Sequence, residues 1–369
     1  MIKGLYIHIP FCDQICTYCD FCKMVTSEHT KKEYVKALVK ELEYYSDLLT
    51  YIETIYIGGG TPSSLDNDLL DAFLDELESM VDMDKIKEFT IEANPSDVTA
   101  SWLEVLRKHH VTRVSMGVQS MNKDLLNFLG RTHTDDIVMH AIELLKTSQF
   151  DFNLDFLYAI PGQTKEMLLS DLTYIKEFKP QHVSYYSLIL EDRTVLNYLI
   201  NKHKVEDFSD DLARDFGELI DQTLEAYGYH KYEFSNYAKP GYESKHNLIY
   251  WNLEEYLGIG LNASSQFNFV RMVNPSKISD YLEAIEDKSL TMHRLEDFNP
   301  ELECLLVGLR KTQGIHLDAY KKRFKQSVFE VYPQLKKHMD QKLLEIKDGY
   351  LRFTNDGIYL SNQVFVDII

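Results

Sequence analysis

The chain has 369 residues, of which 44% are hydrophobic and 26% charged, and this composition excludes a disordered chain and a small disulfide-rich scaffold. Its 58 acidic residues outnumber the 39 basic ones, and the resulting formal charge of −19 disfavours nucleic acid as a partner. The sequence shows neither an apolar run near the roughly 18 residues of a membrane span nor an apolar signal segment, so we expect a cytoplasmic protein.

Short apolar runs alternate with helical patterns through the first two thirds of the chain. Strands are predicted at 4–9, 54–57, 88–92, 113–118, 153–158 and 182–188. Helices are predicted between and after them, at 30–49, 68–80, 99–109, 123–129, 134–147, 165–178 and 208–227. Repeated strand–helix units predict a parallel sheet. The run at 54–57 is interpreted as a strand that is apolar on both faces, as in a buried parallel sheet.

Polar residues and glycines collect where these predicted strands end. Cysteines follow the first strand, and a Gly-Gly-Gly-Thr-Pro run at 58–62 follows the second. Glu92 ends the third strand, Gln119 follows the fourth, and the fifth carries Asp155. Since active sites of β/α barrels lie at the carboxyl ends of the strands, we expect one shared site in a six-stranded partial barrel.

Four of the five cysteines fall between residues 12 and 22, with the spacing C-x3-C-x2-C-x2-C. A structural zinc site is the alternative, but such sites commonly pair two C-x2-C units across a longer loop. Three thiolates on one short loop can hold three irons of a cubane cluster and leave its fourth iron open. The spacing therefore favours an iron–sulfur cluster over zinc.

The last third of the chain has a different pattern. Eight aromatic residues lie between 229 and 256, which indicates a packed junction or a binding surface. Helices are predicted at 280–288, 300–311, 317–324 and 332–346, followed by a hairpin at 350–360 with an Asn-Asp-Gly turn. This order is typical of a winged-helix-like module.

Four motifs resemble the radical SAM superfamily, and within it the group of HemN and HemW. They are the LYIHIPFC run at 5–12 with its cysteine spacing, GGGTP at 58–62, GVQS at 117–120 and HNLIYW at 246–251. The last matches the H-N-x-x-Y-W motif of the HemW type. HemN carries an extension before the first strand and a fourth cysteine one position earlier than Cys22. The resemblance therefore favours the HemW-type haem chaperones.

The resemblance implies an α/β fold, a radical SAM partial (β/α)6 barrel with a C-terminal, mainly helical, winged-helix-like domain. The expected division is 1–235 for the radical SAM core and 236–369 for the HemN-type C-terminal domain. Cys12, Cys16 and Cys19 would ligate a [4Fe–4S] cluster, with Cys22 a bystander. His246 would ligate haem iron. The implied contacts of S-adenosylmethionine (SAM) are Tyr6, Tyr18, Gly59, Gly60, Thr61, Glu92, Gln119, Arg131 and Asp155.

The function implied by the resemblance is that of a haem chaperone, which binds haem and transfers it to acceptor haem proteins, respiratory ones included. The cluster and SAM would then regulate haem transfer. One alternative is an oxygen-independent coproporphyrinogen III dehydrogenase. A more remote alternative is an RNA-modifying radical SAM enzyme, which would need a basic RNA-binding module. The sequence leaves the oligomeric state and peripheral membrane contact open.

Overall fold

A computed structural model describes residues 1–287, 293–294 and 298–369. Its strands are β1 Gly4–Ile9, β2 Thr54–Gly59, β3 Glu88–Ala93, β4 Arg113–Gln119, β5 Asp151–Tyr158, β6 His182–Ser187, β7 His230–Lys231, β8 Asn236–Ala238, β9 Tyr256–Ile259, β10 Ser264–Phe267, β11 Val270–Val273, β12 His293–Arg294, β13 Ile315–His316, β14 Leu344–Lys347 and β15 Tyr350–Phe353.

The α-helices lie between and after these strands. They are α1 Glu28–Tyr44, α2 Asn67–Met80, α3 Ala100–Lys108, α4 Lys123–Leu129, α5 Asp135–Thr147, α6 Lys165–Phe178, α7 Val195–Asn201, α8 Asp210–Ala226, α9 Lys245–Trp251, α10 Ile278–Glu286, α11 Pro300–Gly308, α12 Leu317–Phe324, α13 Val328–Val331, α14 Leu335–Asp340, α15 Asn355–Tyr359 and α16 Ser361–Ile368.

The first six strands form a parallel sheet in chain order, as the strand–helix pattern predicts. Strand β9 adds in parallel beside β1, and β8 adds antiparallel beside β6. Within the described residues the sheet does not close on itself, because β12 and β7 lie at its two ends. The six-stranded partial barrel is therefore confirmed, with additional strands on both sides.

The two faces of the barrel strands differ in polarity. Ile55 and Ile57 are fully buried in the main hydrophobic core, whereas their neighbours Thr54 and Tyr56 turn toward polar partners. The interpretation of this run as apolar on both faces was wrong. Apolar and polar side chains alternate along this strand because its inner face carries hydrogen-bonding groups, which need partners when they are buried.

The C-terminal part has its own core, which includes Leu305, Leu335, Leu351 and Val364. The helix predicted at 332–346 is shorter than expected, because α14 ends at Asp340 and strand β14 follows.

The predicted hairpin turn was also wrong. The turn joining β14 to β15 is Asp348–Gly349, both in the left-handed region with φ of 51° and 82°. Residues 355–357 instead begin α15, where the Thr354 hydroxyl accepts the Gly357 N–H at 3.0 Å. Gly357 packs against the Leu343 carbonyl, where a side chain would clash. The glycine thus allows close packing rather than a turn.

Strands β8 to β11 come from the chain after residue 235 and join the barrel sheet, and the division at that residue stays a prediction. The predicted helix end at residue 288 lies outside the described residues. No helix in the described part of the chain is long and apolar enough to cross a membrane.

Candidate functional site

A cavity of about 380 Å³ lies at the carboxyl ends of the barrel strands. It brings together most of the side chains that sequence analysis selected from separate strands and loops. Its lining includes Cys12, Cys16, Tyr18, Cys19, Gly59, Gly60, Thr61, Glu92, Gln119, Arg131 and Asp155. Tyr6 and His246 are the two selected residues that do not line it.

The cysteine loop follows β1 and is held by backbone hydrogen bonds from several directions. Cys12 N–H donates to the Met24 carbonyl at 3.0 Å, which ties the two ends of the loop together. The Thr17 N–H donates to the carbonyl of Leu129 at the end of α4. The Thr17 carbonyl in turn accepts the N–H of Leu196 from α7. The loop geometry therefore depends on two helices as well as on the barrel.

Three of the four clustered cysteines face the cavity, while the fourth does not. The Cys22 thiol is directed to the Ser276 carbonyl, with 3.8 Å between sulfur and oxygen, and its side chain packs on the main core. The Thr61 hydroxyl donates to Cys12 Sγ at 3.5 Å. Burial raises the pKa of the Cys12 and Cys19 thiols, and it raises that of Cys22 as well, so it is the direction of the side chains and not their pKa that separates Cys22 from the others. The described thiols form no disulfide.

The glycine run after β2 allows the second strand to approach the first. Gly60 N–H donates to the Ile9 carbonyl at 2.8 Å. A Cβ at Gly60 would lie 2.7 Å from the Pro10 carbonyl carbon and 2.8 Å from Phe11 O, both backbone atoms. Gly59 has φ of 115°, which an L side chain rarely adopts. The glycines thus also place the start of the cysteine loop.

Glu92 lies at the end of β3 with its carboxylate held from two sides. Tyr56 Oη donates to Oε1 at 2.7 Å, and Gly59 N–H donates to Oε2 at 3.0 Å. Burial raises the pKa of Glu92 to about 7, even though these donors favour the charged form. The carboxyl group can therefore accept hydrogen bonds from a ligand hydroxyl or amine at the cavity wall.

Arg131 follows α4 and places its guanidinium beside the cysteine loop. One terminal nitrogen donates to Asn94 Oδ1 at 2.6 Å, and the other donates to Tyr18 Oη at 3.3 Å. Its Nε is buried with no hydrogen-bond partner among the described residues. A buried cation with an unused donor suits an anionic ligand group such as a carboxylate.

Gln119 and Asp155 complete the polar wall. Gln119 has φ of 68° at an irregularity in the β4–β5 pairing, which turns its side chain at the strand end. Asp155 accepts Asn153 Nδ2 at 2.7 Å and the Ser115 hydroxyl at 3.3 Å, and burial raises its pKa. Outside the cavity, the Tyr6 hydroxyl bonds His8 Nδ1 at 2.9 Å.

Asp171 of α6 fixes the turn that follows Gln119. Its carboxylate accepts Met121 N–H at 2.7 Å and the Ser120 hydroxyl at 2.9 Å. Burial raises its pKa to about 7. Because this exceeds the value of roughly 4 in an unfolded chain, the folded state keeps the proton over a wider range, and stability falls as pH rises from about 4 to 7.

We expect Asp171→Asn to gain stability relative to the wild-type protein as pH rises from 5 to 7.5, by a difference on the order of 2–4 kcal/mol. The asparagine retains an acceptor for Met121 N–H and loses no proton. Urea unfolding of both proteins at several pH values measures this difference. A difference that does not change with pH would contradict the assigned pKa.

Five polar residues that the sequence analysis did not select also line the cavity. They are Tyr56, Arg113, Ser115, Asn153 and Asn247. In β2, β4 and β5 they occupy alternate positions, so period-2 polarity within the apolar runs was the available signal. Asn247 comes from α9, which no strand pattern could place there.

The histidine predicted to bind haem lies at the opposite end of the barrel from the cysteines. His246 is fully buried, and its Nδ1 is 2.8 Å from Thr54 Oγ1 at the start of β2. Its Nε2 is 2.7 Å from the Tyr250 hydroxyl, and its ring stacks on Tyr56 at 5.2 Å. Burial lowers its pKa to about 3. Iron ligation by His246 would require one of these hydrogen bonds to break.

Two family profiles match the chain. The radical SAM superfamily matches residues 6–175, and the HemN C-terminal domain matches residues 302–360. Among solved structures, coproporphyrinogen III oxidase (HemN) from Escherichia coli, described as a radical SAM enzyme, superposes with a TM-score of 0.84. The match covers 100% of this chain and 90% of that one at 20% identity, and it shows the fold alone.

Curated relatives match between about three quarters and nearly all of the chain. The heme chaperone HemW of Lactococcus lactis subsp. lactis is 39% identical over 98% of this chain and 96% of its own. The heme chaperone HemW of Bacillus subtilis is 33% identical over 99% and 98%, respectively. The heme chaperone HemW of Escherichia coli (strain K12) is 37% identical over 72% of this chain and 70% of its own.

Proposed function

The chain belongs to the HemW family of the radical SAM superfamily, and from that membership we propose that it binds haem and transfers it to acceptor haem proteins. The observation that carries the proposal is the 39% identity to a heme chaperone over 96% of that relative's length. The cytoplasmic location and the acceptor haem proteins remain predictions.

Cys12, Cys16 and Cys19 fit a [4Fe–4S] cluster, because three thiols face one cavity while Cys22 Sγ is directed elsewhere. Three thiolates leave one iron open. That iron would chelate the amino and carboxylate groups of SAM, and the cluster would supply an electron for reductive chemistry. The donor set thus accommodates both groups in one cavity.

The other lining residues provide contacts that SAM needs. Arg131, with its buried and unused Nε, would face a carboxylate, and Glu92 and Asp155 would accept from hydroxyls or the amine. Thr61, Gln119 and the backbone of Gly59 and Gly60 border the same space. Tyr18 would act by holding Arg131, and Tyr6 by holding His8 behind the cavity.

Anaerobic reconstitution followed by haem titration tests the proposal. We expect about four irons per chain, a Soret band that saturates with haem, and movement of haem to an apo-haem protein upon mixing. His29→Ala is a suitable control, since that side chain is 81% exposed on α1. A protein that converts coproporphyrinogen III over many turnovers with SAM and a reductant, and binds no haem, would instead be a dehydrogenase.

A further inference from the structure

A chain of hydrogen bonds runs along the cavity wall from Arg131 to the first cysteine of the cysteine loop. A terminal nitrogen of Arg131 donates to Asn94 Oδ1 at 2.6 Å, and Asn94 Nδ2 donates to Thr61 Oγ1 at 3.4 Å. The Thr61 hydroxyl in turn donates to Cys12 Sγ at 3.5 Å. All four residues line the cavity. Two neutral side chains therefore connect a cation to one of the thiols assigned to the cluster.

The direction of each hydrogen bond in this chain is fixed by the guanidinium at its start. A guanidinium can only donate, so it faces the amide oxygen of Asn94 and leaves the amide nitrogen on the side of Thr61. An amide nitrogen also only donates, so the Thr61 oxygen accepts, and its one hydroxyl proton is left to point at Cys12 Sγ. Every donor thus points toward the sulfur atom.

Two short turns of the same kind hold the middle of the chain in place. Thr61 and Asn94 each precede a proline that begins a 3₁₀ turn, one after β2 and the other after β3. A following proline favours extended backbone, which both residues adopt. The Ser63 hydroxyl joins the turns, because it accepts Asn94 N–H at 3.1 Å and donates to Asp97 Oδ2 at 2.6 Å. The backbone therefore sets the position of Asn94 relative to Thr61.

We propose that Asn94 is a positioning residue, which orients the Thr61 hydroxyl toward Cys12 Sγ and thereby raises the reduction potential of the iron–sulfur cluster. The inference rests on the proposed cluster and adds a residue that controls its electron uptake. Hydrogen bonds to the sulfur atoms are among the factors that set the potentials of such clusters. A donor aimed at a thiolate stabilises the negative charge that reduction adds, so the reduced form is favoured.

The redox step moves one electron and no proton. The electron passes from an external reductant to the cluster, so the reductant is oxidised by one electron and the cluster is reduced by one. The Thr61 proton stays on its oxygen, and the Arg131 guanidinium stays protonated at the far end, where it polarises the chain. Thr61 is only 7% exposed, so water competes little for its hydroxyl. The effect on the potential is therefore electrostatic.

The test is a potentiometric titration of the reconstituted full chain without SAM, with the reduced cluster followed by electron paramagnetic resonance. We expect Thr61→Val, which keeps the shape and loses the hydroxyl, to lower the potential by about 59 mV, a tenfold change in the one-electron equilibrium. Thr61→Ser should keep the wild-type potential. Thr17→Val is the matched control, because that hydroxyl lies on the cysteine loop and donates to the Phe128 carbonyl at 3.1 Å instead of to a sulfur.

Asn94→Asp tests the role of Asn94 itself. A carboxylate keeps the bond to Arg131 but has no donor, so the Thr61 hydroxyl should turn toward it and away from Cys12. The potential should then fall. Because the added negative charge also lowers the potential, a double-mutant cycle separates the two causes. Thr61→Val should lower the potential in the wild-type background and leave it unchanged in the Asn94→Asp background.

The outcomes separate this inference from the function on which it rests. If the wild-type chain takes up no iron and sulfide, the proposed cluster itself fails. If the variants carry the cluster and all show the wild-type potential, the cluster stands and the role of Asn94 is overturned. Equal effects of Thr61→Val in both backgrounds would also overturn it, because the hydroxyl would then act without Asn94.

A further variant covers the case in which Thr61→Val assembles no cluster. Asn94→Ala removes the amide that orients the Thr61 hydroxyl and adds no charge. We expect it to lower the potential by less than the loss of the hydroxyl does, with a melting curve to show that the variant is folded. An unchanged potential in folded, cluster-loaded Asn94→Ala would overturn the inference.

Discussion

Replacing Cys12, Cys16 or Cys19 by alanine is expected to abolish iron–sulfur binding, whereas Cys22→Ala should retain nearly all of it. The three thiols line one cavity, and Cys22 Sγ is directed to the Ser276 carbonyl. A cubane held by only two thiolates loses much of its coordination. Iron and acid-labile sulfide, measured after anaerobic reconstitution, should fall from about four per chain to near zero in the first three variants.

The Cys22 variant is the matched control, because it removes a thiol from the same loop. Its backbone carbonyl, which lies 2.8 Å from His8 Nε2, is unchanged by the substitution. Equal iron loss in all four variants would indicate a four-thiolate site and exclude an open iron. Four-coordinate zinc in the aerobically purified protein, lost equally in all four variants, would support the zinc alternative.

The second large effect is expected for Gly60→Val, which should lose both the cluster and SAM binding. Any Cβ at residue 60 meets backbone atoms of Pro10 and Phe11, which cannot rotate away as a side chain would. The start of the cysteine loop must then shift, at a cost of about 1–3 kcal/mol in folding free energy. Calorimetric SAM titration should show no binding to this variant, nor to the wild-type protein without its cluster.

Two further variants make this result specific. Gly60→Ala should show the same loss to a smaller extent, since it adds the Cβ alone. Gly241 has nothing within 4 Å of its Cβ position and φ of 88°, which asparagine tolerates, so Gly241→Asn should bind iron and SAM normally. SAM affinity unchanged by Gly60→Val, or equal with and without the cluster, would contradict the assigned role.

Much of the barrel could be predicted from local patterns. The first four strands lead into cysteine, glycine or polar residues, the fifth carries Asp155, and parallel strands place those ends at one edge. Glu92, Gln119 and Asp155 could therefore be grouped from the amino-acid sequence alone. The pairing of Arg131 with Asn94 could not, because those residues lie 37 positions apart on different loops.

One wrong prediction and one untested prediction both concern residues whose surroundings are set by tertiary contacts. The Asn-Asp-Gly sequence favours a turn locally, but Gly357 is used for close packing against Leu343 and Thr354 caps a helix there. Ligation of haem iron by His246, which the resemblance and the aromatic segment imply, stays a prediction. In the fold, that aromatic segment forms α9, whose first turn is held by the buried Glu88 carboxylate. Neither contact can be inferred from the amino-acid sequence around Gly357 or His246.

Helix α9 connects the barrel cavity to the C-terminal part of the chain. Asn247 lines the cavity, and one helical turn later the Trp251 ring lies 4.9 Å from the Arg310 guanidinium, just after α11. A ligand that displaced this short helix from the cavity wall would also disturb its contact with the C-terminal part. Thermodynamic linkage makes any such coupling reciprocal: whatever the C-terminal part binds would change the affinity of the cavity by the same factor.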